Sequence, residues 1–256
     1  MHHAHIDKLA YQDSPIHKLD ARAKLIVILA FTFAVISVGK YSLSILACCA
    51  VGPFAVLVIA QIPLRFVLKQ LVIVSPFVAA LALSCIYYNN APADIIIGPF
   101  QWHTTAGTIQ FFNILAKFAL TVCSLMALIC TTRFADLLAA MQSLKVPQVL
   151  TTQLGFLYRY IFVLIDRVHH IILARSARTL RNLGFKLEIR VAAAMVGSLL
   201  VSTIETSEKI NIAMISRGFD GRFRSLNRLK FQNRDYVFIA VAIVFITLIQ
   251  ILKRFL

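Results

Sequence analysis

The sequence predicts an all-α membrane protein: a bundle of about five transmembrane helices joined to long cytoplasmic coupling helices. Three observations carry this. Of the 256 residues 59% are hydrophobic and only 14% charged, with a mean hydropathy of +0.80, too apolar for an ordinary soluble domain. The apolar residues gather in long runs rather than in short alternating ones. The net charge of +15 is spread unevenly between those runs. A chain this basic invites a nucleic-acid reading, but no basic groove or reading module accompanies the charge. Positive-inside loops beside an anionic lipid bilayer account for it instead.

Residues 1–24 form a cytoplasmic N-terminal arm carrying Lys8, Lys18, Arg22 and Lys24. Asp7, Asp13 and Asp20 are interspersed, and the first apolar run begins only at Leu25, so the arm does not read as a cleavable signal. Residues 25–132 hold four spans. Leu25 to Val38 is the first and Ser42 to Ile62 the second. Leu71 to Tyr88 is the third, with Pro76 a kink point and Tyr87 and Tyr88 as interfacial anchors. Thr108 to Cys130 is the fourth; it contains Lys117, which has to face protein, water or a headgroup rather than lipid tails.

Residues 133–235 read as a cytoplasmic helical region. Phe134, Leu137, Leu138, Met141 and Leu144 recur at helical spacing until Val146-Pro147 stops them. A second helix runs from Gln148 to about Arg181 with Gly184 as its stop, and a third runs from about Ile189 to Gly218. The run Val191 to Ile204 within the third is short for a crossing and reads as a buried or interfacial helix. Tyr236 to Leu252 is the fifth span, within a C-terminal segment 236–256.

Loop charge orients the bundle. The arm and the loop bearing Arg65 and Lys69 are basic, whereas residues 89–106 contain no Lys or Arg. This places the N-terminus in the cytoplasm of a cell membrane, and four crossings then leave 133–235, with its sixteen Lys and Arg, on the same side. Lys253 and Arg254 do not fit, because a single last crossing leaves them outside.

Side chains with chemical potential are few. The five cysteines all lie in or beside apolar runs without a CxxC pair, which favours packing over redox or metal chemistry. His2, His3 and His5 can reach one metal ion, but a terminal arm offers poor geometry. His169 and His170 point apart on a helix. Glu205 and Glu208 lie one turn apart, yet a solvated face explains them better than an acid pair. Phosphate-cradling loops and nucleophile elbows are missing, so the chain is not read as an enzyme and no cofactor is expected on it. A self-sufficient secondary transporter needs a polar mid-membrane pathway, for which Lys117, Asn113, Gln61 and Pro76 are thin material.

The two long cytoplasmic helices finish alike. One closes on Ala174-Arg175-Ser176-Ala177-Arg178-Thr179 and the other on Ile215-Ser216-Arg217-Gly218. Cations there are favoured by the helix dipole and by anionic lipid; equally, a guanidinium can bridge to carboxylates or carbonyls of another chain.

Four passages resemble the transmembrane (T) component of energy-coupling factor transporters, of the CbiQ type linked to cobalt and nickel uptake. They are Ile6 to Tyr11, Ser14 to Leu25, Phe156 to Tyr160 and Ala213 to Gly221. The resemblance implies two Ala-Arg-Gly-type motifs at helix ends, each docking into one of two cytoplasmic ATPase subunits. It also implies a separate substrate-binding membrane (S) subunit held by this chain. ATP is then used by the partner subunits. The motifs fall on Ala177, Arg178 and Thr179 and on Ser216, Arg217 and Gly218. Thr179 stands where the first has glycine and Ser216 where the second has alanine, and Arg175 or Arg181 are further bearers of the first role. A T component serving vitamin-binding subunits, or a stand-alone transporter, are the alternatives.

Overall fold

The computed structural model describes residues 14–39, 43–88, 92–97, 100–179, 184–221 and 231–255. Apart from one small hairpin the described elements are helical: α1 (Ala21–Ser37), α2 (Leu43–Ile59), α3 (Leu64–Tyr88), β1 (Pro92–Ile97), β2 (Phe100–Thr105), α4 (Ala106–Thr131), α5 (Phe134–Ser143), α6 (Gln148–Arg178), α7 (Phe185–Ser216) and α8 (Asn233–Phe255). The chain divides into two compact units, one of residues 1–140 with 227–256 and one of residues 141–226.

In the first unit α4 packs against α1, α2 and α3, while α8 packs against α1 and α2. Two apolar clusters fill it. Phe31, Val35, Ile45, Leu46, Cys49, Leu120 and Ile249 form one, and Ile16, Leu57, Ala60, Ile62, Val67, Ala127 and Cys130 the other. Gly52 lets α2 approach α8, since a Cβ there would stand 2.8 Å from the Phe245 ring. Many other apolar side chains of these helices, such as Phe33, Phe54, Phe77 and Val241, point outward, as lipid-facing residues do.

Each end of this unit is closed by lysines on helix carbonyls. The last carbonyls of a helix lack intrahelical partners. At the end of α4, Lys24 is 3% exposed and donates to the Thr131 oxygen at 2.8 Å and the His17 oxygen at 3.3 Å. His17 accepts from the Ser14 hydroxyl at 2.7 Å and donates from Nε2 to the Cys130 oxygen at 3.2 Å. Beside it Asp235 accepts the backbone N–H groups of Asp20 at 2.8 Å and Gln232 at 2.7 Å, while Asp20 caps α1 through Arg22 N–H at 2.9 Å. At the end of α1, Lys117 donates to the Val38 oxygen at 2.6 Å, Lys253 to the Ser37 oxygen at 2.6 Å, and Asn113 to the Gly39 oxygen at 3.3 Å. Lys117 therefore faces protein, as its place in an apolar run requires.

The boundaries that depart most from the sequence reading are two, while α1 and α7 each begin four residues early, at Ala21 and Phe185. α3 begins at Leu64 rather than Leu71 and takes in Arg65 and Lys69, whose long stems tolerate an apolar helix end. Gly184 does not stop α6, which ends at Arg178; it precedes α7, with φ of 77° and its oxygen accepting the Glu188 N–H at 3.0 Å. The loop without Lys or Arg also holds an antiparallel pair of strands in the register Pro92↔Thr105 to Ile97↔Phe100.

Five described helices are long and apolar enough to cross a membrane: α3, α4, α6, α7 and α8. The number matches the expectation but the membership does not. α1 and α2, read as spans, are 17 residues each, at the lower limit. α6 and α7, read as cytoplasmic, qualify as the least apolar of the five. Both also carry charges along their length, among them Arg159, Asp166, Arg167, Glu205 and Glu208, which hydrocarbon opposes.

Candidate functional site

The two arginine-bearing helix ends both belong to the second unit. α6 starts behind Pro147, whose oxygen accepts the Leu150 N–H at 3.0 Å, and runs 31 residues to Arg178. Ala177 and Arg178 are exposed, and Arg175 and Thr179 are half-buried. The Thr179 hydroxyl donates to the Arg175 oxygen at 2.9 Å, occupying a terminal carbonyl from an extended backbone (φ −101°). Threonine thus closes the helix with its side chain where glycine would do so by a left-handed turn. Arg181 lies outside the described residues.

α7 runs 32 residues to Ser216 and terminates in a Schellman closure. Gly218, at φ of 78°, donates its N–H to the Ile215 oxygen at 2.9 Å, and Phe219 donates its own to the Met214 oxygen at 3.0 Å. Arg217 is the capping residue between them, and Ser216, Arg217 and Gly218 are all exposed. The Ser216 hydroxyl donates to the Ile212 oxygen at 2.9 Å, so it is satisfied within its own helix and presents a small surface, much as alanine would. The Ser216 departure is accordingly conservative in shape, whereas Thr179 ends α6 by a backbone path different from glycine's.

Contacts the sequence did not single out hold these helices together. Arg167 reaches from α6 to α7, donating to the Ser202 oxygen at 3.2 Å and the Thr206 hydroxyl at 3.0 Å. Phe219 meets Phe156 edge to face, with ring centroids 6.1 Å apart, and Phe156 stacks on Tyr160 at 6.1 Å. Both rings lie in motif passages, which was the available signal; their pairing across 63 residues was not readable from spacing. Arg217 is thereby placed beside the first turns of α6 while Arg178 occupies its far end. The 22 residues between Phe156 and Arg178 span about 33 Å at helical rise. The motif passages that resemble one another are therefore kept apart, one at each end of α6.

Among the described residues no group of three His, Cys, Asp or Glu is placed to hold a metal ion. His2, His3 and His5 lie outside the described residues. His169, His170, Glu205 and Glu208 are exposed. In the first unit a cavity of about 330 Å³ is lined by Phe31, Val56, Ala127, Phe245 and neighbours. Its polar lining atoms on Lys24, Ser124 and Thr131 are already bonded to backbone oxygens, which suits it to hydrocarbon rather than to an ion.

The family model described as "CbiQ: Cobalt transport protein" matches residues 12–228. An uncharacterised protein of Methanocaldococcus jannaschii is 23% identical over 244 residues, covering 93% of this chain and 83% of its own. The energy-coupling factor transporter transmembrane protein EcfT of Bacillus selenitireducens is 27% identical over 248 residues, covering 91% of each. The nickel permease LarQ of Lactiplantibacillus plantarum is 27% identical over 153 residues, which is 59% of this chain and 54% of that protein.

Proposed function

The chain belongs to the CbiQ family of cobalt transport proteins, the transmembrane components of energy-coupling factor transporters, and on that premise we propose that it is the energy-coupling subunit of an importer for a transition-metal ion, cobalt or nickel. The observation that carries the proposal is the pair of exposed arginines, Arg178 and Arg217, each at the C-terminal end of a helix of more than 30 residues and set at opposite ends of α6. Two copies of a nucleotide-driven partner need two separated footholds. A guanidinium at a helix end suits an acidic or carbonyl-lined recess on each. The names of relatives that mention cobalt and nickel support the choice of ion.

In this reading α1 to α4 and α8 cross the cell membrane with the N-terminus in the cytoplasm. Lys18, Arg22, Arg65 and Arg133 all lie near the end of the first unit closed by Lys24, which supports assigning that end to the cytoplasmic side. ATP binding draws the two partner ATPases together, α6 and α7 shift with them, and a substrate-binding membrane subunit is tipped or released. Such coupling requires that the two states differ in contact energy at the arginine tips. ATP hydrolysis belongs to the partners.

The test is co-purification in mild detergent with co-expressed ATP-binding and substrate-binding subunits, comparing wild type with Arg178→Glu plus Arg217→Glu. The ATP-binding subunits are expected with wild type and absent from a double variant that stays monodisperse. Failure of any ATP-binding subunit to accompany wild type overturns the proposal in favour of a stand-alone transporter.

A further inference from the structure

We infer that Phe219 and Phe156 form the joint that positions Arg217, so that α6 is the strut fixing the spacing of the two docking arginines; this rests on the coupling reading above. Arg217 is followed by a chain reversal in which Gly218 adopts a left-handed φ and Phe219 is turned back toward the protein. The Phe219 ring is half-buried and lies edge to face on Phe156. Phe156 is itself held between Phe219 and Tyr160, and the Arg159 guanidinium stands 6.0 Å from the Tyr160 ring. Two residues further on, the Gly221 oxygen receives the Thr152 hydroxyl at 3.4 Å, a long bond on the same side of α6.

The exposed arginine therefore sits between two fixed points, the closure of α7 on one side and the aromatic contact on the other. Its backbone is tied to α6 rather than to α7 alone. A pull on Arg217 reaches Phe156, and α6 carries it as a rigid element about 33 Å to Arg178. The Arg167 bonds to Ser202 and Thr206 hold the helices together between these points. Phe219 and Phe156 are thus positioning residues, expected to act on docking through Arg217 and not through Arg178.

That selectivity is the test. Purified ATP-binding subunits of the same transporter are titrated onto the full-length chain in detergent, for wild type, Phe219→Ala, Phe156→Ala and Phe219→Tyr. Phe219→Ala is repeated in Arg217→Ala and Arg178→Ala backgrounds. Removal of either ring is expected to weaken binding roughly 2- to 10-fold, the worth of one aromatic pair, and Phe219→Tyr to restore it. The loss should persist in the Arg178→Ala background and vanish in the Arg217→Ala background, as for residues acting through one contact. Equal losses in both backgrounds, or none in either, overturn the joint while leaving the coupling reading intact. If Arg217→Ala itself binds like wild type, the coupling reading falls and the joint with it. Should Phe219→Ala not remain monodisperse, Phe219→Leu, which keeps bulk without a ring, is judged by the same comparison.

Discussion

Lys253, near the end of α8, donates to the Ser37 backbone oxygen at 2.6 Å and to the Ser37 hydroxyl at 3.0 Å, closing the C-terminal end of α1. Lys117 from α4 serves the adjacent Val38 oxygen. A basic residue at this end of the bundle looked like a topology misfit; it is a helix cap. Terminal carbonyls need donors, and an ammonium also complements the negative end of the helix dipole.

Lys253→Met should therefore lower the thermal stability of the detergent-solubilised chain, by about 0.5–1.5 kcal/mol, the range for an ordinary hydrogen bond, since the Ser37 end is exposed. Lys253→Arg, which keeps the donors, should retain most of it. A Met variant as stable as wild type, with Lys117 unchanged, would show that the cap contributes nothing.

Asp235 is 2% exposed and accepts two backbone N–H groups, those of Asp20 and Gln232. Replacement by alanine leaves both donors without their carboxylate in a buried setting, a cost of about 2–3 kcal/mol or more. Denaturant titration followed by tryptophan-independent circular dichroism would read it. Asp235→Asn, retaining one acceptor, should fall between alanine and wild type.

Gly218 has φ of 78° and open space around its missing side chain, so Gly218→Ala meets no clash and bears only the left-handed backbone cost. That cost is about 1–2 kcal/mol, confined to the end of α7. Hydrogen exchange should accelerate at the amides of residues 218 and 219 and stay unchanged in α1 to α4. Uniform acceleration would contradict a local cap.

Gly52→Ala puts a methyl group 2.8 Å from the Phe245 ring, where α2 meets α8. Overpacking of this kind costs about 1–3 kcal/mol. Phe245→Leu in the same chain should recover part of the loss, measured as the unfolding midpoint; no recovery would place the damage elsewhere.

Much of the helical plan was legible in the chain. Apolar runs placed α1, α2, α4 and α8 within a few residues, and Pro147 and Gly218 marked real helix ends, because period and turn chemistry are local properties. The hairpin was passed over, although Asp94-Ile95-Ile96-Ile97 and Phe100-Gln101-Trp102 flank a Gly-Pro pair, since that loop was read for charge alone. Gly184 was misassigned because the same residue type serves before a helix as well as after one.

What the sequence determined by itself was the class of protein, the helices and the two arginines at helix ends, all of which depend on neighbours in the chain. What only the tertiary structure decided was which distant groups satisfy one another: Lys253 with Ser37, Lys24 with Thr131, Phe219 with Phe156. Those pairings join residues 63 to 216 positions apart, and it is the need of helix-terminal carbonyls for donors and of rings for contact that selects them once the helices pack.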